Sequence, residues 1–246
     1  MINNTHEMHA HQIWNNDNIQ FIFHSNIVEY DMSQASVSIC ERFKLLDDST
    51  IQRLKLMSKH QRTVEMGLMQ RDNKEFSEQL LKGIRDIRRK FIQVNELTEE
   101  DIITIHSDAI FFIMKKDIID EIEGVKFKRK NTWTSFIRYD KMEMFYDGNG
   151  IITYKGVPRE LLDTHTLGLN KYMIKIFTMI ENYDSSVLKF LSKFQKNYLQ
   201  DKLPDFYYIS FGKRGEYKIY NMKLLSYIAS ITLIESKSWR IQNNKR

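Results

Sequence analysis

Strand-length apolar runs and long amphipathic segments alternate along this chain, and almost no proline interrupts them. Only Pro158 and Pro204 occur in 246 residues, and 42% of the residues are hydrophobic. This apolar content is enough for a real core, and the length suits one large domain or two small ones. The pattern therefore predicts an α+β protein in which most residues lie in regular structure.

Two short strands near the start of the chain lead into a helix. The apolar runs Ile19–Phe23 and Ile27–Tyr30 are predicted to be strands around a tight turn. A helix over Ser33–Leu45 follows, with Ser33 as its N-cap. Asp31 is thereby placed where a buried strand passes into a helix.

Two amphipathic helices come next. Ser49 is predicted to cap the first, whose apolar face reaches Leu68, and the second runs from Phe76 to Phe91 with apolar residues spaced by three and four. The opposite face of the second helix is basic, and it is either a solvated surface or a track for nucleic acid. This basic face carries Lys82, Arg85, Arg88, Arg89 and Lys90.

A second pair of apolar runs, Ile102–Ile105 and Ile110–Met114, is predicted to form a hairpin with Asp108 at its tip. Strands between Val125 and Tyr154 continue as an antiparallel meander, and the pattern becomes mainly helical after Pro158. A short hairpin is predicted within this last part, formed by Phe206–Phe211 and Glu216–Tyr220. The expected division is a flexible segment at 1–17, an α+β domain at 18–157 with a helical insertion at about 49–96, and a helical region at 158–246.

Charge and cysteine usage restrict the functional class. The net charge is +5, and basic residues concentrate at 82–90, 126–130, 213–218 and 237–246. Clustered cations beside aromatic residues suit a phosphate backbone, which predicts nucleic acid as a partner. A single cysteine, Cys40, favours a reducing compartment, and neither a membrane span nor a signal peptide is recognisable. We therefore expect a cytoplasmic protein without membrane association.

Asp31 and Asp108 are the candidate catalytic and metal-binding residues. A carboxylate next to buried strands is costly unless it is paired, hydrogen-bonded or bound to a metal. If both strands lie in one sheet, the two carboxylates converge, and a divalent cation relieves their repulsion. Oxygen ligands of this kind suit Mg²⁺ or Mn²⁺. The simpler interpretation is that Asp31 caps a helix and Asp108 makes a turn.

The residues around both aspartates resemble the catalytic motifs of family B DNA polymerases. The segment 30–39, Tyr-Asp-Met-Ser-Gln-Ala-Ser-Val-Ser-Ile, is similar to the family's first motif, an Asp followed by an aromatic residue and Ser-Leu-Tyr-Pro-Ser-Ile. The segment 106–111, His-Ser-Asp-Ala-Ile-Phe, resembles Asp-Thr-Asp-Ser-Ile-Phe. Residues 128–130 and 150–159 resemble the lysine-containing strand and the segment that leads to the thumb. The resemblance covers roughly residues 27–160, with the C-terminal helices placed like a thumb.

This resemblance implies a fold and a reaction. The fold would be an antiparallel palm-like sheet with packed helices and a thumb-like C-terminal part, and the reaction would be nucleotide transfer to a primer through metals held by Asp31 and Asp108. Its substrates would be a nucleotide triphosphate and nucleic acid, with DNA favoured over RNA. Lys59, Arg62 and Ser36 would contact the nucleotide, and the nucleic acid would be held by Lys128, Lys130, Lys155, Arg85, Arg88 and Arg89.

Three departures from the family motifs keep other functions open. His106 replaces the first Asp of the second motif, Ser36 stands where the family has the tyrosine that excludes a ribose 2′-hydroxyl, and the helical insertion is short. One alternative is a palm-derived protein that binds nucleic acid without catalysis, as a subunit of a replication or transcription assembly. Another is an unrelated nucleic-acid-binding regulator in which both aspartates are structural.

Overall fold

The protein has an α+β fold, as the sequence predicts. The structure, a computed structural model, describes residues 8, 13–157, 159–210 and 222–243. The chain forms two compact units, one of Met1–Asp17 and Ile27–Thr132 and the other of Asn18–Asn26 and Trp133–Arg246. Among the described residues, no helix has the length and apolar character needed to cross a membrane.

The described residues of the first unit form a six-stranded sheet and four helices. The strand order is β1-β4-β5-β3-β7-β6. In this sheet β1 pairs antiparallel with β4, β4 with β5, and β5 with β3. Strands β6 and β7 also pair antiparallel. The strands are β1 (Ile13–Asn15), β3 (Ile27–Met32), β4 (Ile102–His106), β5 (Ala109–Ile113), β6 (Glu121–Ile122) and β7 (Val125–Trp133), and the helices are α1 (Ala35–Phe43), α2 (Asp48–Leu56), α3 (Lys59–Asp72) and α4 (Lys74–Val94).

Helix α4 covers one face of this sheet. Tyr30 on β3 and Phe112 on β5 lie 5.8 and 6.3 Å, between ring centroids, from Phe91 on α4. Phe127 on β7 lies 4.2 Å from the same ring, between centroids, with the two rings tilted by 32°. Side chains alternate along a strand, so Asp31 lies on the face of β3 opposite to Tyr30. The sequence of β3 thus buries one face against α4 and gives the other face its acidic residues.

Capping divides the helices differently from the prediction. Asp47, not Ser49, caps α2, because its side chain accepts a hydrogen bond from the Thr50 backbone N–H at 2.9 Å. The predicted continuous helix ends at Leu56, since Ser58 and Gln61 form a capping box that starts α3. Helix α1 has Gln34 as its N-cap, in the left-handed region, and not the predicted Ser33.

In the second unit, a four-stranded antiparallel sheet and four helices are formed by the residues that the structure describes. The strand order is β10-β9-β8-β2. A buried ion pair links two neighbouring strands, with Arg138 Nη2 on β8 lying 2.7 Å from Glu143 Oε1 on β9. The strands are β2 (Phe21–Ile22), β8 (Ser135–Tyr139), β9 (Met142–Tyr146) and β10 (Ile152–Lys155), and the helices are α5 (Arg159–Glu181), α6 (Val187–Leu199), α7 (Asp205–Ser210) and α8 (Met222–Asn243).

The boundary between the units differs from the predicted boundary at residue 157. Met144 and Tyr146 on β9 share a core with Ile176 and Phe177 on α5, so the last three strands belong with the C-terminal helices. The boundary lies between Thr132 and Trp133. Composition changes at 157, but packing determines the units.

Local pattern also gave three wrong assignments. Strands β2 and β3 are not a hairpin, because Phe21 pairs with Ile137 in one sheet and Ile27 with Ile113 in the other. Residues 13–15, expected to be flexible, form β1 against β4. The segment 205–210 is a helix and not a strand, as Pro204 immediately before it favours. The predicted strand at 216–220 lies outside the described residues.

Two helical glycines give a paired test of the α1–α4 contact. A Cβ added to Gly83 on α4 would lie 2.5 Å from Ile39 Cγ2, whereas one added to Gly67 on α3 would have nothing within 4 Å. We expect Gly83→Ala to lower the free energy of unfolding by about 1–3 kcal/mol through overpacking. Gly67→Ala should raise it by about 0.5–1 kcal/mol, because alanine is the better helix former. Urea denaturation measures both, and equal effects would contradict this packing.

Candidate functional site

Strand pairing brings the two candidate aspartates together. Asp31 is the register partner of Ala109, the residue after Asp108. The backbone N–H of Met32 donates to the Asp108 carbonyl at 3.2 Å. Ser107, at a φ of 56°, turns the chain between β4 and β5. The predicted convergence of the two carboxylates in one sheet is therefore present.

The Asp31 and Asp108 carboxyl groups lie close enough to influence each other's charge. Burial, followed by the negative charge of Asp31 and the hydrogen bond to it, raises the pKa of Asp108 from 3.8 to about 6. Two carboxylates in contact are unfavourable when both are ionised. The pair therefore has the electrostatic character of a cation site.

Lys130 on β7 already supplies one positive charge to this pair. Its Nζ lies 2.6 Å from Asp31 Oδ2, and the side chain is 45% exposed against 22% for Asp31. The hydrogen bond to Asp31 raises the pKa of Lys130. The predicted nucleic-acid contact is thus an ion-pair partner of the candidate metal ligand.

The aspartates open into a cavity of about 420 Å³ in the first unit. Helix α3 contributes Lys59 and Arg62 one turn apart, and β7 contributes Lys128 and Lys130. Ser36 lies at the start of α1. The complete lining is Asp31, Met32, Ser33, Gln34, Ala35, Ser36, Val37, Lys59, Arg62, Thr63, Met66, Gln70, Asp108, Lys128 and Lys130.

The cavity combines seven of the eleven predicted site residues, and the other four lie outside its lining. Lys155 belongs to β10 in the second unit. Arg85, Arg88 and Arg89 are on α4, and Arg89 pairs with Asp86 at 3.0 Å. The basic face of α4 is therefore not part of the cavity.

Arg88 corrects the prediction most clearly. It was expected to contact nucleic acid, but it is 0% exposed. Its Nη1 donates to the Ser107 carbonyl at 2.6 Å, which supports the turn that carries Asp108. Burial, followed by the charge of Arg85, lowers its pKa to about 10. Arg88 therefore binds the backbone of the turn next to Asp108.

Sequence reasoning missed the polar residues that share the inner face of α3. Thr63 and Gln70 line the cavity with Arg62. The spacing 59, 62, 63, 66 and 70 follows one face of a helix, so helical periodicity contained this signal. The prediction followed the apolar face of this helix and named only Lys59 and Arg62 among its polar residues.

The donor set would suit a divalent cation only if water or phosphate oxygens supplied its remaining ligands. No group of three or more His, Cys, Asp or Glu side chains suited to a metal occurs in the described part of the chain. Mg²⁺ usually binds through one or two carboxylates together with substrate phosphates and water. Asp31 and Asp108 meet this requirement. His106, at the end of β4, does not line the cavity.

Comparison with known proteins gives a family. The model for the family described as "Bacteriophage PBS1 gene 130 protein" matches residues 1–245. The chain belongs to this family. No curated protein matches it. Because the gene 130 family description names no reaction or ligand, the cavity is the basis for proposing a function.

The raised pKa of Asp108 predicts how the free energy of unfolding depends on pH. The folded protein keeps a proton on Asp108 up to about pH 6, whereas the unfolded chain loses it near pH 4. Ionisation of Asp108 therefore lowers the free energy of unfolding as the pH rises from about 4 through 6. We expect the free energy of unfolding of Asp108→Asn, measured relative to that of wild type, to increase by about 1–2 kcal/mol from pH 5 to pH 7.5. This figure allows for the partial exposure of Asp108.

Urea unfolding of both proteins at the two pH values measures this difference. Asp140→Asn, an exposed turn residue outside the cavity, is the matched control. If Asp108→Asn and wild type show the same pH dependence, the carboxyl pair is not electrostatically strained.

Proposed function

We propose that this chain is a metal-dependent nucleotidyltransferase with a minimal polymerase-like palm, acting on a nucleic-acid primer. The observation that carries the proposal is the composition of one cavity. An acid pair and four cations line it, and among the described residues only Lys130 of these cations has a carboxylate partner. The cavity thus offers charges for both a divalent cation and a polyanion.

The cations suit a triphosphate and a phosphate backbone. Lys59 and Arg62 project from one face of α3 and would bind the nucleotide's phosphates, with Arg62 supplying planar donors. Lys128 on β7 would hold the primer or template backbone. Ser36, at the same cavity, would lie near the sugar. DNA is the favoured substrate, on the motif resemblance.

The acid pair would position the reacting groups. Asp31 and Asp108 would hold Mg²⁺ or Mn²⁺, which when bound lowers the pKa of the primer hydroxyl and neutralises developing phosphate charge. Arg88 would stabilise the turn next to Asp108 through its hydrogen bond to the Ser107 carbonyl. Catalysis by this chain would consist of orienting the triphosphate on α3 against a primer end on β7.

A second candidate is a palm-derived subunit without catalysis, within a replication or transcription assembly. Two observations favour it: Lys130 already neutralises Asp31, and His106 stands where the family B motif has an acid. Such a protein would use the cations of the cavity for nucleic acid alone.

Primer extension by the full chain tests the proposal. Labelled primer–template, deoxynucleotides or ribonucleotides, and Mg²⁺ or Mn²⁺ should give metal-dependent extension. Lys59→Met combined with Arg62→Met should raise the KM for nucleotide by about 10-fold or more, because two charge-assisted contacts are lost. Lys74→Met, exposed and outside the cavity, is the control. Binding of the duplex without extension under any condition would favour the non-catalytic subunit.

A further inference from the structure

The cavity contains a cation of its own at the candidate metal position. Lys130 Nζ lies 2.6 Å from Asp31 Oδ2. Lys59, Arg62 and Lys128 make no ion pair within the part of the chain that the structure describes. One cavity lysine is thus bound to the acid pair, and the other three cations face the space where a ligand would bind.

This contact and a bound divalent cation compete for the charge of Asp31. The ammonium occupies Oδ2 of the carboxylate, and Mg²⁺ would contact a carboxylate oxygen at about 2.0–2.1 Å. Two cations on one carboxylate repel each other. Metal binding is therefore favoured when Lys130 leaves Asp31.

Lys130 can move while its strand stays in place. Asn131 on β7 donates from Nδ2 to Glu29 Oε2 on β3 at 2.5 Å, which fixes the strand beside the acid pair. The Lys130 side chain is 45% exposed and has a flexible four-carbon stem. Lys128, two residues earlier, lies on the same face of β7. A phosphate backbone bound at Lys128 is therefore within the region that the Lys130 ammonium can reach.

We propose that Lys130 is a built-in counter-ion that suppresses metal binding until a nucleic-acid phosphate draws it away from Asp31. The inference rests on the proposed function, and it adds the order in which the ligands bind. Nucleic acid and metal then bind cooperatively, and each raises the affinity for the other by the same factor.

Mn²⁺ titration of the 246-residue chain tests this coupling. Free Mn²⁺ is followed by electron paramagnetic resonance, with and without a primer–template duplex, after subtraction of the ions that the duplex binds alone. In wild type we expect the duplex to tighten Mn²⁺ binding about 10-fold, a coupling of ordinary size. Lys130→Met should bind Mn²⁺ about 10-fold more tightly than wild type without duplex and gain less than about 2-fold from it.

Lys126→Met is the matched control, since it removes an exposed lysine of the same strand that does not line the cavity. It should keep the weak Mn²⁺ binding of wild type in the absence of duplex. If Lys130→Met and wild type bind Mn²⁺ equally while Asp31→Asn does not bind it, the counter-ion role is wrong and the metal site stands. If neither wild type nor Lys130→Met binds Mn²⁺ at millimolar concentration, the metal-dependent function itself is wrong. Circular dichroism of each variant confirms that it is folded.

Discussion

Under the proposed function, Asp31→Asn and Asp108→Asn are each expected to reduce metal-dependent nucleotide incorporation by at least about 100-fold, because a metal held by the two carboxylates would supply several kcal/mol of transition-state stabilisation. Asparagine keeps the shape of the side chain and removes its charge. Without a divalent cation, the affinity of Asp108→Asn for primer–template should change little, since the cations of the cavity remain. Single-turnover extension and fluorescence anisotropy measure the two quantities separately.

The melting temperature distinguishes this loss from unfolding. Asp108→Asn should not lower it at pH 7.5, because the variant removes a carboxylate whose pKa burial and Asp31 raise. Asp140→Asn, an exposed turn residue, should retain full activity. Activity that survives in both cavity variants would exclude the acid pair from catalysis.

Arg88→Met is expected to destabilise the protein by about 2–3 kcal/mol, because it leaves the Ser107 carbonyl without its charged donor. The side chain is 0% exposed, so little water can replace the guanidinium. Arg89→Met, at the next position on α4, should change the free energy of unfolding by less than about 0.5 kcal/mol, since its pair with Asp86 is exposed. Urea denaturation compares the two variants directly.

Arg88→Met is also expected to bind Mn²⁺ less tightly, an effect that a loss of stability alone would not produce. At a temperature where Arg88→Met is fully folded, its Mn²⁺ affinity should be lower than that of wild type, because the turn of Asp108 is less well held. Arg89→Met should bind Mn²⁺ normally. Unchanged Mn²⁺ affinity in folded Arg88→Met would show that Arg88 supports the fold and not the position of Asp108.

The elements that carry the site follow from local sequence patterns. The runs around Asp31 and Asp108 have the length and apolar content of buried strands, and their aspartates stand where each run ends. Lys59 and Arg62 are one helical turn apart on a segment with helical spacing. These local signals were sufficient to assemble most of the cavity, because strands β3 and β5 pair directly.

The burial of Arg88 and the boundary between the units were not predicted, for two different reasons. Arg88 is four residues after Ile84 and three before Phe91, both on the buried face of α4, so its burial was readable from periodicity. Its charge directed the interpretation to solvent instead. The pairing of β2 with β8 joins residues far apart in the chain, and no local pattern distinguishes it from a hairpin with β3. The boundary at Thr132 follows from that same pairing.

Anomalous diffraction from Mn²⁺ tests the central claim most directly. Crystals of the full chain with a primer–template duplex and a non-hydrolysable nucleotide would be soaked in Mn²⁺. We predict a peak between Asp31 and Asp108, about 2 Å from an oxygen of each carboxylate, with the Lys130 ammonium withdrawn from Asp31. A cavity with duplex and nucleotide bound, no Mn²⁺ peak, and Lys130 still paired with Asp31 would contradict the metal-dependent function.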